Sequence, residues 1–260
     1  MHKKKQLKIT FLGTGTSTGV PMIASDHPVS FSKDLKDNRL RSSLMISWDK
    51  ATYIIDCGPD FRQQMLRESV RSINGILFTH QHADHIAGLD DIRPYSFKMG
   101  QVPIYATKSV LNTLKKRYSY VFKTKNKYPG APNVKPFVIS ADKSFELNGL
   151  NVTPVEVMHG SLPVLGFRFN NFAYITDVKT IAEKEIHKLK NLEVLSVTGL
   201  RKEPHDNHFN IEEALSFIKK INPKKAYLSH ISELLGFHEE VEKELPKNVF
   251  LAFDGLSFTC

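Results

Sequence analysis

Apolar and polar positions alternate with the two-residue period of a half-buried strand from residue 8 to 12. Short apolar runs with the same reading recur at 43–47, 52–55, 76–79, 103–106, 137–139, 143–147, 150–157, 164–170, 172–175, 194–198, 225–229, 249–253 and 256–258. Between them, 59–68, 84–99, 109–118, 181–189, 211–220 and 239–245 read as helices, with Pro59 placed to open the first. Asn170-Asn171 turns the 164–170 and 172–175 pair into a hairpin. The chain thus gives strands and then helices twice over. That order predicts an α+β architecture, a four-layer αβ/βα sandwich with two sheets face to face and helices on both outer faces. In such an arrangement the site lies where strand-end loops meet.

Composition narrows this little but usefully. The chain has 260 residues, 41% of them hydrophobic, enough for a full core, and no repeat, low-complexity segment or long linker divides it, so one domain over 1–260 is expected. No run of about 18 apolar residues occurs, and the charged start Met-His-Lys-Lys-Lys has no apolar stretch behind it, which predicts a soluble cytoplasmic protein without a membrane partner. Two cysteines, Cys57 and Cys260, are too few for a disulfide framework or a cysteine-built zinc site. The net charge of +9 favours anionic ligands, phosphates or nucleic acid, although the lysines are scattered in short groups that read as solvated surface.

The candidate chemistry centres on 79–88, Thr-His-Gln-His-Ala-Asp-His-Ile-Ala-Gly. His80, His82, Asp84 and His85 cannot share one strand or helix face, so a strand-loop-helix bend is needed to turn all four into one space. Imidazole and carboxylate are the ligand set of a hydrolytic site for zinc or manganese, with iron equally allowed. One loop cannot close two metal shells, and residues of the same type recur after later strands: His159, Asp177 and His230. Asp56, beside this loop, either accepts the second N–H of a ligand imidazole or caps the helix at 59–68. The loop Gly13-Thr-Gly-Thr-Ser-Thr-Gly-Val-Pro21 can offer amides to an anion or be a plain tight turn, and it lacks the lysine of a P-loop. Segment 118–135 mixes aromatics with lysines and reads as a loop cover. His208 stands just ahead of Asn210, a candidate helix N-cap with Glu213 three residues on. Facing metals it could protonate a leaving group; otherwise it packs on the cap.

The His-x-His-x-Asp-His string at 80–85 resembles the signature of the metallo-β-lactamase fold superfamily. Adding Ile55-Asp-Cys-Gly-Pro-Asp60, Gly88-Leu-Asp-Asp-Ile-Arg-Pro94, His208-Phe-Asn210 and Phe253-Asp-Gly255 to the 13–21 loop, the chain is similar over nearly its whole length to the PhnP-like phosphodiesterase branch. The resemblance implies two divalent metal ions, zinc or manganese. His80, His82 and His159 would hold the first and Asp84, His85 and His230 the second, with Asp177 between them. It also implies hydrolysis of a small anionic phosphodiester such as a phosphoribosyl cyclic phosphate by a bridging hydroxide. Asp84 and His208 would be catalytic, His208 as general acid, and Thr14, Gly15, Thr16, Ser17 and Asn210 would bind substrate. A homodimer is compatible with this reading. Relatives often carry a further zinc on three cysteines and a histidine; here Ser25, His27, Ser30 and Glu233 stand at those places. Serine is a poor zinc ligand, so no additional structural zinc is expected and the loop should be looser. The rival readings are a tRNA 3′-processing endonuclease of the ribonuclease Z type, for which no insertion is long enough to make an RNA-gripping arm, and a non-catalytic basic nucleic-acid-binding protein, against which the complete ligand set argues.

Overall fold

A computed structural model of the chain describes residues 5–260. Six strands, β1 (Lys8–Gly13), β2 (Ser43–Trp48), β3 (Ala51–Ile55), β4 (Gly75–Leu77), β5 (Val102–Ala106) and β6 (Val134–Val138), build most of one sheet. Seven more, β7 (Phe145–Leu147), β8 (Leu150–His159), β9 (Leu162–Phe169), β10 (Phe172–Ile175), β11 (Val194–Thr198), β12 (Lys225–Ser229) and β13 (Val249–Leu251), form the second, and β14 (Ser257–Thr259) returns to pair antiparallel with β1. The helices are α1 (Phe61–Arg67), α2 (Ala83–Ile86), α3 (Arg93–Met99), α4 (Lys108–Arg117), α5 (Ser119–Phe122), α6 (Glu183–Ile186), α7 (Ile211–Ile221) and α8 (His238–Glu244). Among the described residues no helix is long and apolar enough to cross a membrane.

Side-chain alternation explains the layers. In β3, Tyr53 and Ile55 face the second sheet, where they meet Phe167, Phe169 and Tyr174, while Ile54 faces outward onto α1 with Ile76 and Ile104. Strands buried on both faces read as continuous apolar runs, as the parallel β3-β4-β5 set does. The outer face of the second sheet, Val197 and Leu228, is covered by Phe217 and Ile218 of α7. The expected αβ/βα sandwich is therefore the observed one. The parallel sets β3-β4 and β10-β11-β12 then bring their carboxyl ends to one place.

Three local expectations change. The helix expected over 84–99 is broken into α2, a 3-10 turn at Leu89–Ile92 and α3. Gly88 passes so close to Gly58 that a Cβ there would lie 2.1 Å from the Gly58 carbonyl, and Pro94 has no amide to continue the ladder. Strand β8 runs two residues further than its pattern suggests, so His159 is its last residue. Segment 118–135 is not a free cover: the Tyr118 hydroxyl donates to Ile86 O at 3.2 Å, Tyr120 to Asp90 Oδ1 at 2.6 Å, and Lys127 to the carbonyls of Val121 and Pro132.

The loop expected to be loose is held by another device. Ser25 Oγ lies 2.7 and 2.8 Å from the two carboxylate oxygens of Glu233, and Ser30 Oγ also donates to Glu233. His27 accepts from Val29 N and caps the 3-10 turn Pro28–Phe31.

Candidate metal centre

Every candidate ligand stands at or just past the carboxyl end of a strand. Asp56 follows β3, the 79–85 loop follows β4, His159 ends β8, Asp177 follows β10 and His230 follows β12. Asp56, Asp177 and His230 have φ of 64°, 55° and 56°, a left-handed conformation that costs a non-glycine residue of order 1 kcal/mol or more and turns the side chain back across its own strand end. Three such residues at one place mark a constellation held by its surroundings.

The structure brings the seven expected ligands together. Asp84, His85, Asp177 and His230 each offer a ligand atom within 4.8 Å of the others. His85 Nε2 is 3.1 Å from Asp84 Oδ2 and 3.3 Å from Asp177 Oδ2, while His230 Nε2 is 3.3 Å from Asp177 Oδ1. His80, His82 and His159 form an adjoining group with ring centroids 4.6, 5.1 and 5.9 Å apart. His80 is also 4.2 Å from His85, so the two groups share a wall.

The hydrogen bonds around four of these rings fix their tautomers. His85 Nδ1–H donates to Asp56 Oδ2 at 2.7 Å, and His159 Nδ1–H to the Asn207 carbonyl at 2.8 Å. Thr79 gives its hydroxyl proton to Asp56 Oδ2, so at 3.0 Å it can only accept from His80 Nδ1. Ser42 gives its proton to Gly15 O and likewise accepts from His230 Nδ1 at 3.1 Å. Each ring therefore turns its Nε2 inward, where the neutral form offers a lone pair. That of His80 is buried without a hydrogen-bond partner, and that of His85 meets only the Asp84 and Asp177 carboxylates. Buried, unpartnered imidazole nitrogens facing two carboxylates are expensive unless a cation takes them, so the donor set fits divalent metal ions.

Electrostatics agree in sign. Burial would raise the Asp177 carboxyl, but His230 and His85 outweigh it and hold it well below the usual carboxylate range. Burial followed by the nearby His85 charge pushes His80 well below the ordinary histidine value. His85 is driven the other way: burial opposes its charge, yet Asp177, Asp84 and Asp56 surround it and raise it well above that value.

His208 sits at the rim, its ring 4.3 Å from His159 and 4.9 Å from His230, with Nδ1 buried, unpartnered and 3.8 Å from Asp177 Oδ1. Burial, then the His230 charge, lowers its pKa to about 2, so the side chain is neutral in the free protein. Its loop is latched to the metal centre through the Asn207 carbonyl on His159. A Cβ on Gly160 would lie 2.4 Å from Asn207 Oδ1, and Gly160 has φ +59°, so only glycine leaves room for that approach.

Two expected substrate contacts are corrected. The amides of Thr14, Gly15 and Thr16 are spent on Asp254 Oδ1, Leu40 O and Ile231 O, and the Thr14 hydroxyl also donates to Asp254, so these groups cannot cradle an anion. The Thr16 hydroxyl instead reaches His230 Nε2 at 3.2 Å, and only Ser17 of the four stays exposed. Asn210 is spent too: its Oδ1 takes Glu213 N at 2.9 Å in a capping box and its Nδ2 donates to Lys202 O at 3.1 Å. Asp56 makes no cap bond to α1 and takes the other role open to it, accepting from His85 and twice from Thr79. Sequence reasoning missed Ser42, Asn207 and His205, whose ring lies 5.0 Å from His208. The first two act through a hydroxyl and a main-chain oxygen, which no motif marks.

Comparison with known proteins places this geometry. The family description Beta-lactamase superfamily domain matches residues 51–231, a span containing all seven ligands. A crystal structure of a diphosphatase from the PhnP family superposes with TM-score 0.92 and 38% identity, covering 98% of this chain and 97% of that one. The octanoyltransferase of Porphyromonas gingivalis is 40% identical over 96% of this chain and 51% of its own length, so the chain spans about half of that relative. The ribonuclease Z of Bacillus subtilis is 27% identical over 62% of this chain and 48% of its own length. A matched ligand span and a full-length superposition lead to one assignment: the chain belongs to the metallo-β-lactamase superfamily, within its PhnP family.

Proposed function

We propose that the chain is a dinuclear metal-dependent phosphodiesterase acting on small or cyclic phosphodiesters of the phosphoribosyl cyclic phosphate type. The observation that carries this reading is the set of four imidazoles whose Nδ1–H groups are all tied down, leaving Nε2 atoms converging on Asp84 and Asp177. His80, His82 and His159 would hold one ion, Asp84, His85 and His230 the other, and Asp177 both. Divalent ions bound there would act as Lewis acids toward a phosphoryl group and draw the pKa of a water down towards about 7. Zinc and manganese both suit these donors.

The remaining work falls to His208. An anionic phosphodiester beside it adds negative charge to a ring that burial, His230 and His159 otherwise keep neutral, which favours the imidazolium and lets it protonate a departing alkoxide. Leaving-group dependence tests this directly. With metal content unchanged, His208→Ala should lose roughly 10²–10⁴-fold on a ribose-type leaving group but far less on bis(p-nitrophenyl) phosphate, whose phenolate needs no proton. Equal losses on both would remove the acid role.

Processing of tRNA 3′ ends is the second reading, favoured by the ribonuclease Z similarity over 62% of the chain. The folded-back 118–135 segment offers no long arm for RNA, so pre-tRNA should be cleaved far more slowly than cyclic ribose phosphates. Acyl transfer, suggested by the Porphyromonas gingivalis relative of which this chain spans about half, finds no support in Cys57, which is fully buried and whose thiol is pushed well up by that burial.

A further inference from the structure

A cavity of about 480 Å³ opens on the outer face of the first sheet, between α1 and the segment running into α3. Its floor is apolar: Phe61 and Met65 from α1, Val70 after it, and Tyr95 from α3. The Tyr95 hydroxyl is bonded to Val70 O at 2.9 Å, so the floor presents no unsatisfied polar atom from that ring. The rim is cationic. Arg62, Arg71, Arg93 and Lys98 line the opening against Asp90 and Asp91. Arg93 is committed to Asp90, which also accepts from Tyr120. Neither the Arg62 nor the Arg71 guanidinium is hydrogen-bonded to a carboxylate or within salt-bridge distance of one among the described residues, and both are exposed. The volume falls in the range of small-molecule sites, which pair an apolar lining with a few polar groups at one end. None of the metal-centre ligands lines it.

We infer that this cavity is a binding site, separate from the metal centre, for an amphipathic anion: an apolar tail seated on Phe61, Met65 and Val70, with a carboxylate or phosphate headgroup at Arg62 and Arg71. Charge complementarity selects the headgroup sign, since Arg62 and Arg71, neither held in a close carboxylate pair although Arg62 acts on Asp91 across the rim, would meet it at the mouth, and the apolar floor selects the tail. The test is calorimetric titration of the metal-loaded full chain with octanoate, octyl phosphate and octylammonium, with the Arg71→Glu protein titrated in parallel to subtract any anion binding at the metal centre. Saturable one-to-one binding of one or both anions is expected, with the tighter one naming the headgroup. Arg71→Glu should weaken it tenfold or more, Met65→Trp should abolish it by filling the floor, and turnover of bis(p-nitrophenyl) phosphate should be unchanged in Arg71→Glu. Arg62→Glu provides an independent surface variant should Met65→Trp fold poorly. Absence of saturable binding by either anion, equal binding of octylammonium, or anion binding that survives both Arg71→Glu and Arg62→Glu would overturn the assignment.

Discussion

Ser42 and His230 show how little chemistry is needed to prepare a ligand. One serine proton, given to Gly15 O, leaves the oxygen only a lone pair for His230 Nδ1–H, and the opposite nitrogen becomes a donor to metal. Ser42→Ala should therefore keep the fold yet lower metal affinity about 10–100-fold, measured by competition with a chromogenic chelator. Gly160→Ala makes a different prediction. Its methyl would push Asn207 away and withdraw the carbonyl that orients His159, so metal occupancy and His208 position should fail together, with kcat dropping more than thermal stability. At this scale the sequence was legible wherever a metal-type side chain followed a strand. Thr14 to Thr16 were misread because nothing in a glycine-rich run says that Leu40, Ile231 and Asp254 will claim its amides.

Among the elements, α7 bears most directly on activity. Its capping box, Asn210 with Glu213, begins two residues after His208, so the helix start fixes the path of the rim loop. Asn210→Ala should cost about 1 kcal/mol of stability from the lost cap and loosen that loop, read as a lower melting temperature together with a raised KM. Strand and helix positions were largely legible, since alternation in β1 to β3 and the apolar stripe of α7 match the observed faces. The break of the 84–99 segment was not. It follows from a long-range approach of Gly88 to Gly58, and local propensity is blind to a contact with a residue thirty positions earlier.

For the molecule as a whole, proton binding should set the stability of the metal-free state. His80 and His230 are lowered by burial, His208 is lowered to about 2 and His238 to about 4, again by burial and then by His230 and Arg39 respectively. Unfolded, each would take a proton near pH 6.5, which the native state refuses, so their contribution is lost as pH falls through that value. His85, raised, acts in the opposite sense, contributing fully below about pH 6.5 and losing its effect only on the alkaline side. With His82 and His205 also lowered, six groups against one predict that the melting temperature of the chelator-treated protein falls between pH 7 and pH 5; a rise over that interval would refute the assignment of these six rings as neutral. Restoring zinc or manganese at pH 7 should raise the melting temperature, because the ions bind the native arrangement alone and relieve the crowding of Asp84 and Asp177.

The pairing of β14 with β1, and the seat that Asp254 provides for Thr14, carry a lesson about timing. A nascent polypeptide has all seven coordinating side chains by residue 230, yet the brace beneath its front turn is not translated until position 254. A released fragment ending at residue 253 keeps all seven candidate ligands and should still retain cations poorly, and capture should sharpen only when residues 254–260 are present to close the sheet.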